Sequence, residues 1–150
     1  MPISGFVLKG QILFSGNSRQ LKSSENSYLV FASGTVAGVF SQIPPQYAHL
    51  PCTDFGDKLI IPGLIDLHLH APQYSFAGLG MDLPLLPWLD TYTYPEEARY
   101  ADISYAEAAY RRFCGHLRRS FTTRTAMFAT CHSASSSLLV DLLEQSGLIA

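Results

Sequence analysis

Short apolar segments separated by turn residues open the chain, at residues 6–8, 11–14, 28–31 and 35–40. They are β-branched or aromatic and are punctuated by Gly10, Gly16, Gly34 and Gly38, a pattern that predicts β-strands. Residues 1–57 are therefore expected to form the N-terminal part of a small β-domain. Within it, residues 41–57 hold Pro44, Pro45 and Pro51 without sustained periodicity, which predicts a connection across the surface. The pattern changes at Lys58, because residues 59–69 are almost continuously apolar. Such a run suits a strand buried on both faces, with Pro62 and Gly63 interrupting its start. Residues 71–101 are rich in Pro, Gly and aromatics and predict a long functional loop with a short helix near residues 84–92.

Ser104 followed by Glu107 forms a capping-box pattern, so a helix is expected from Ser104 to Arg119. Ala106, Ala109, Tyr110, Phe113 and Leu117 share its inner face, and Arg118 and Arg119 suit its last turn, where cations complement the helix dipole. Residues 122–130 are threonine-rich and extended in character. Residues 135–145 predict a second helix with Leu138, Leu139, Leu142 and Leu143 inward and Gly147 as its stop. Strand, loop, helix, strand, helix is the opening of an alternating α/β fold with parallel strands, and Leu148, Ile149 and Ala150 read as the start of a third strand. An alternating barrel needs roughly 250 residues. The expected class is thus α/β, with residues 58–150 as the first βα units of a truncated barrel. The alternative is a compact two-layer α/β domain complete at 150 residues.

Composition narrows the function classes. A hydrophobic content of 47% with a net charge of -2 marks a globular chain and gives no electrostatic reason to expect nucleic acid or an anionic membrane. A small neutral substrate fits better. The first sixteen residues lack a charged start and a long apolar run, and no apolar stretch approaches the ~20 residues that cross a bilayer, so a cytoplasmic location is expected. Cys52, Cys114 and Cys131 are odd in number and irregularly spaced, which argues against a disulfide framework and for buried free thiols.

The sharpest local feature is Asp66-Leu67-His68-Leu69-His70 at the end of the apolar strand. Alternate strand residues face one side with Cα atoms roughly 6.5 Å apart, so both imidazoles can lean onto one ion, and neutral imidazole suits Zn²⁺. A bare His-x-His also fits two unrelated histidines bonded to backbone. The surrounding Pro62-Gly63-Leu64-Ile65-Asp66-Leu67-His68-Leu69-His70, however, resembles the first-strand signature of the amidohydrolase superfamily. His70-Ala71-Pro72-Gln73-Tyr74, residues 82–89, residues 94–99 and Phe128-Ala129-Thr130-Cys131-His132 resemble the guanine deaminase family in particular. The resemblance covers residues 58–146, and the first sixty residues match in character only.

That resemblance implies a (β/α)8 amidohydrolase barrel with a small β-sandwich domain, converting guanine to xanthine and ammonia. It also implies zinc as cofactor, His68 and His70 as the first two metal ligands, Gln73 as a purine contact and a homodimer for the complete protein. The remaining ligands and the acid-base glutamate would lie beyond Ala150, so the 150-residue chain alone is expected to be inactive. The chemistry is consistent. Water is a poor nucleophile at neutral pH, and bound Zn²⁺ lowers its pKa to about 7 for attack on the amine-bearing ring carbon. A carboxylate must then move protons to the leaving amine. Gln73 both donates and accepts, matching the guanine edge, and Asp66 is expected to orient the strand end or the ligands.

Tyr74, Phe76, Trp88, Tyr92 and Tyr94 are candidates either for a stacking wall or for core packing, with Trp88 the preferred substrate contact. His132 is a further candidate at the second strand's end, whereas His49 and His116 read as surface residues. Where relatives carry Asn-Gly-Thr-Thr, this chain has Ser120-Phe121-Thr122-Thr123, and the lost glycine predicts strain in a turn of positive φ. Cytidine-type zinc deaminases are excluded, since Pro51-Cys52 meets Phe55 where the second cysteine is required. The alternatives are another zinc amidohydrolase acting on an amino- or halo-substituted heterocycle, and a truncated, non-catalytic binding module.

Overall fold

The computed structural model describes residues 4–148. The chain divides into two compact units, Met1–Pro62 and Gly63–Ala150. The expected third strand falls mostly on Ile149 and Ala150, outside the described residues, and Leu148 is in neither helix nor strand.

The first unit is one four-stranded sheet in the order β3-β2-β1-β4. β1 (Gly5–Asn17) pairs antiparallel with β2 (Gln20–Ala32), which pairs antiparallel with β3 (Thr35–Phe40). The two expected segments at residues 6–8 and 11–14 are thus a single strand, with a register shift at Gln11. There the Gln11 side chain accepts the N–H of Asn26, which holds φ 44° on the facing strand. Ser33 and Gly34, at φ 52° and 82°, make the two-residue β2–β3 turn, whose double positive φ matches strand twist.

The surface connection expected over residues 41–57 is corrected. It holds a short 3-10 turn, Pro45–Tyr47, and then β4 (Cys52–Ile60), parallel to β1. Its periodicity is hidden because β4 loops out between Asp54 and Leu59, around Gly56 at φ 59°. The Asp54 carboxylate accepts the Gly56 N–H at 2.8 Å and pairs with Lys9 at 2.8 Å. That pairing holds the Asp54 carboxyl below, and the Lys9 ammonium above, their ordinary ranges. Val7, Val30, Ala32 and Leu50 form the buried core of this unit.

In the second unit β5 (Leu64–His70) runs parallel to β6 (Thr122–Phe128). Between them lie a 3-10 turn (Ala71–Phe76), α1 (Leu85–Trp88), a π turn (Leu89–Thr93), α2 (Tyr94–Arg99) and α3 (Ile103–Leu117); α4 (Ser133–Ser146) follows β6. The loop of residues 71–101 is therefore largely helical. α3 buries Ala106, Ala109, Tyr110, Phe113 and Leu117 as its spacing requires, against Leu139, Leu142 and Leu143 of α4. Leu69 and Met127 pack on the same cluster from the strands. Gly147 ends α4 at φ 75°, the left-handed residue that closes a helix.

Four expectations fail here. The α3 cap is Asp102 rather than Ser104, since the Asp102 carboxylate accepts the N–H of Ser104 at 2.8 Å and of Tyr105 at 3.4 Å. Aspartate competes well for this role, and the helix also ends earlier, with Arg118 as its C-cap. β5 is not buried on both faces: Leu64, Ile65 and Leu67 are 52%, 56% and 76% exposed, because among the described residues its sheet has only two strands and the helices cover one face. Phe121 does not hold positive φ among the described residues, and its carbonyl accepts the Leu64 N–H at 2.8 Å. Finally, Cys114 is buried but Cys52, on an edge strand, and Cys131, between β6 and α4, are exposed.

Candidate active site

The C-terminal end of β5 carries the candidate ligands. Between the pairs Asp66–Thr125 and Leu69–Met127, β5 holds one residue more than β6, which makes a bulge at Leu67-His68. Bulges re-aim side chains and interrupt the ladder. Here the Asp66 carboxylate accepts the His68 N–H at 3.1 Å, so the side chain serves the bulged backbone. The imidazoles of His68 and His70 lie with centroids 5.0 Å apart at 68°. His68 is exposed and His70 half-buried.

A cavity of about 370 Å³ opens beside them, lined by His70, Gln73, Tyr74, Phe76, Trp88 and Phe113 among others. Three residues singled out by sequence, His70, Gln73 and Trp88, thus converge on one space, with His68 adjacent through its ring contact. The 3-10 turn directly after β5 does this, swinging Gln73 back past the strand end. Trp88 is held by its indole N–H, which donates to the Leu79 carbonyl at 3.0 Å, and by the buried Phe76 ring at 5.5 Å.

The aromatic candidates divide. Tyr74, Phe76 and Trp88 line the cavity; Tyr92 stacks on Phe76 from behind at 6.0 Å, and Tyr94 is exposed. Gly80, at φ 65°, has no room for a side chain, since a Cβ would come within 2.3 Å of the Tyr92 ring. His132 does not line the cavity; its carbonyl accepts the Ser136 N–H at the start of α4. His49 and His116 are both exposed, His116 lying 5.5 Å from the Tyr74 ring.

Behind the wall sits a carboxylate that sequence reasoning passed over. Glu96 is 8% exposed, accepts the Tyr105 hydroxyl, and pairs with Arg99 at 3.0 Å, while the Arg99 guanidinium lies 3.9 Å over the Tyr105 ring. Burial, then the Glu96 hydrogen bond, pushes the Tyr105 hydroxyl up, and burial pushes Tyr100 to about 12. This network braces α2 against α3. Phe128 was also missed: its ring contacts both candidate ligands. Its position at the end of β6 was the available signal.

The donor set tests the metal reading. Two imidazoles on one strand face are suitable zinc donors. Among the described residues no group of three or more His, Cys, Asp or Glu side chains gathers to hold an ion. The pair therefore fits as part of a ligand set.

No protein-family model matches the chain. A guanine deaminase of Dictyostelium discoideum is 45% identical over 94 residues, 63% of this chain and 21% of that protein. The chain thus spans about a fifth of the length of the curated relatives it matches. The crystal structure of guanine deaminase from C. acetobutylicum with guanine bound in its active site superposes with a TM-score of 0.90 at 41% identity, covering 97% of this chain and 35% of that one. An atrazine chlorohydrolase mutant from Arthrobacter aurescens, complexed with zinc and atraton, shares the fold at a TM-score of 0.76 and 11% identity, over 95% of this chain and 34% of that one. The mixed α/β architecture matches that of these guanine deaminase and triazine-hydrolysing structures. The homologues of this chain are guanine deaminases, relative to which it is partial.

Proposed function

We propose that the chain supplies the first two metal ligands and one wall of the base pocket of an enzyme that hydrolyses guanine to xanthine and ammonia. The convergence of His70, Gln73 and Trp88 on one cavity, with His68 beside it, carries this reading. Its volume of about 370 Å³ lies within the ~300–1,000 Å³ of small-molecule pockets. Residues 1–57 are read as the N-terminal part of a small β-sandwich domain and residues 58–150 as the first βα units of a (β/α)8 barrel. The guanine-bound relative and the zinc-complexed fold neighbour support substrate and metal respectively.

His68 and His70 would hold zinc, which when bound supplies Lewis acidity and activates water at neutral pH. Gln73 presents a donor and an acceptor together to the guanine edge. Trp88, fixed by Leu79 and Phe76, offers a ring face against which a planar base stacks. Proton transfer to the leaving amine needs a carboxylate that none of these wall residues provides, so the 150-residue chain alone would bind base without turning it over.

Trp88 is the single tryptophan and therefore reports on the pocket directly. Guanine should quench its fluorescence, Gln73→Leu should abolish the quenching, and ammonia release should stay at background. Quenching by an aminotriazine but not by guanine would move the assignment to another heterocycle. Zinc-dependent guanine turnover by this chain would overturn the claim that it lacks the proton-moving group.

A further inference from the structure

We infer that Phe128 is a positioning residue whose ring holds the imidazoles of His68 and His70 in one mutual orientation. The inference rests on the proposed metal-ligand role of the two histidines. Phe128 is the register partner of His70 across the β5–β6 ladder. Its ring stacks on the His70 imidazole with centroids 4.6 Å apart at 19°, and meets His68 edge-on at 5.6 Å and 67°. With the His68–His70 contact this closes a triangle of three rings.

Core packing does not account for the phenylalanine. Phe128 is 56% exposed, and its neighbour Met127 is the β6 side chain that packs on the helical cluster. The ring contacts of Phe128 are with the two imidazoles instead. The χ2 torsion of histidine is broad and roughly two-fold, so an unrestrained imidazole on an exposed strand samples several directions. Two ligands must aim at one point, and freezing them on binding costs affinity unless they are already held. The Phe128 ring restrains the side chains. Asp66 does the matching work on the backbone by accepting the His68 N–H at the bulge.

The test compares the parent chain with Phe128→Leu, which keeps apolar bulk but removes the ring, and Phe128→Tyr, which keeps the ring. Three-bond Hβ–Cδ2 couplings of His68 and His70 in the metal-free protein read the χ2 order of each ring directly. Zinc affinity is read separately, by competition with a chromophoric chelator. In Phe128→Leu the couplings should average, and zinc binding should weaken by about threefold to tenfold, the size of one aromatic pair contact. Phe128→Tyr should match the parent, and thermal melts should be the same for all three. Unchanged couplings and zinc affinity in Phe128→Leu would overturn the proposal. Averaged couplings in a protein whose parent shows no zinc response at either histidine would uphold the positioning and remove the metal reading instead.

Discussion

α3 and β5 are both strongly patterned stretches of the same unit, yet they end in opposite environments. The stripe of α3 is buried along its length, Tyr110 completely and Phe113 to 3%, whereas Leu67 of β5 remains 76% exposed. A helix needs cover on one stripe only, and α4 with the inner face of the two strands provides it. A strand in a parallel sheet has two faces and two edges to satisfy. Only the face bearing Leu69 is met here. Apolar pattern therefore tells which residues are suited to burial; whether cover exists among these residues is a separate question that only the assembled fold answers.

The contrast can be broken most directly by truncating one side chain from each element. Phe113→Ala should cost about 3–5 kcal/mol, the range for emptying an aromatic core site. Leu67→Ser should change stability by no more than about 0.5 kcal/mol, as for other surface positions. Urea denaturation followed by circular dichroism would measure both, and a comparable loss at Leu67 would mean that the outer face of β5 is covered after all.

Alkaline pH tests the buried side of the comparison. Burial raises Tyr100 to about 12 and pushes Tyr110 further up, while an unfolded tyrosine ionises near its ordinary 10.0. The unfolded state thus loses its proton first, so stability is full below pH 10 and is lost as pH rises toward 12. For Tyr100 the loss is on the order of 2 kcal/mol at pH 12. The part of the tyrosinate absorbance that is lost in Tyr100→Phe and Tyr110→Phe variants should rise together with unfolding rather than ahead of it, and ionisation of these two tyrosines before unfolding would contradict this packing.

The smallest effect concerns where α3 begins. Asp102→Ala should cost about 1 kcal/mol, and Ser104→Ala should be nearly neutral, because the carboxylate alone accepts the first-turn N–H groups. Equal losses in thermal melts would restore Ser104 to the capping role.

Legibility in the sequence followed locality. The inner face of α3, the strand character of residues 122–128 and the stop at Gly147 each depend on neighbours within a few positions, and each was readable. β4 was not, because its looped-out turn at Gly56 destroys alternation and its partner is β1, far away in sequence. At the candidate site, His68-Leu69-His70 and Gln73 stood out as a motif, and the structure places His70 and Gln73 on one cavity with Trp88. The Glu96 network was invisible, and Phe128 was signalled only by its place at a strand end, because both depend on which residues the fold brings opposite one another. The bulge that lets Asp66 serve His68 is a mismatch in count between two strands, and one strand alone cannot reveal it.

Tyr100 adds a consequence in time rather than in space. Its hydroxyl donates to the Pro72 carbonyl at 3.4 Å, and its own carbonyl accepts the Ser135 hydroxyl at 2.6 Å, joining segments 28 and 35 residues apart. Closing loops of this size costs entropy that local helix contacts do not recover. The Pro72 tie requires the helical stretch to fold back and the Ser135 tie requires α4 to dock, so Tyr100 is fully tied only once both have happened. Hydrogen exchange of the amides around Tyr100 should then follow global opening of that unit and not the fraying of any one element.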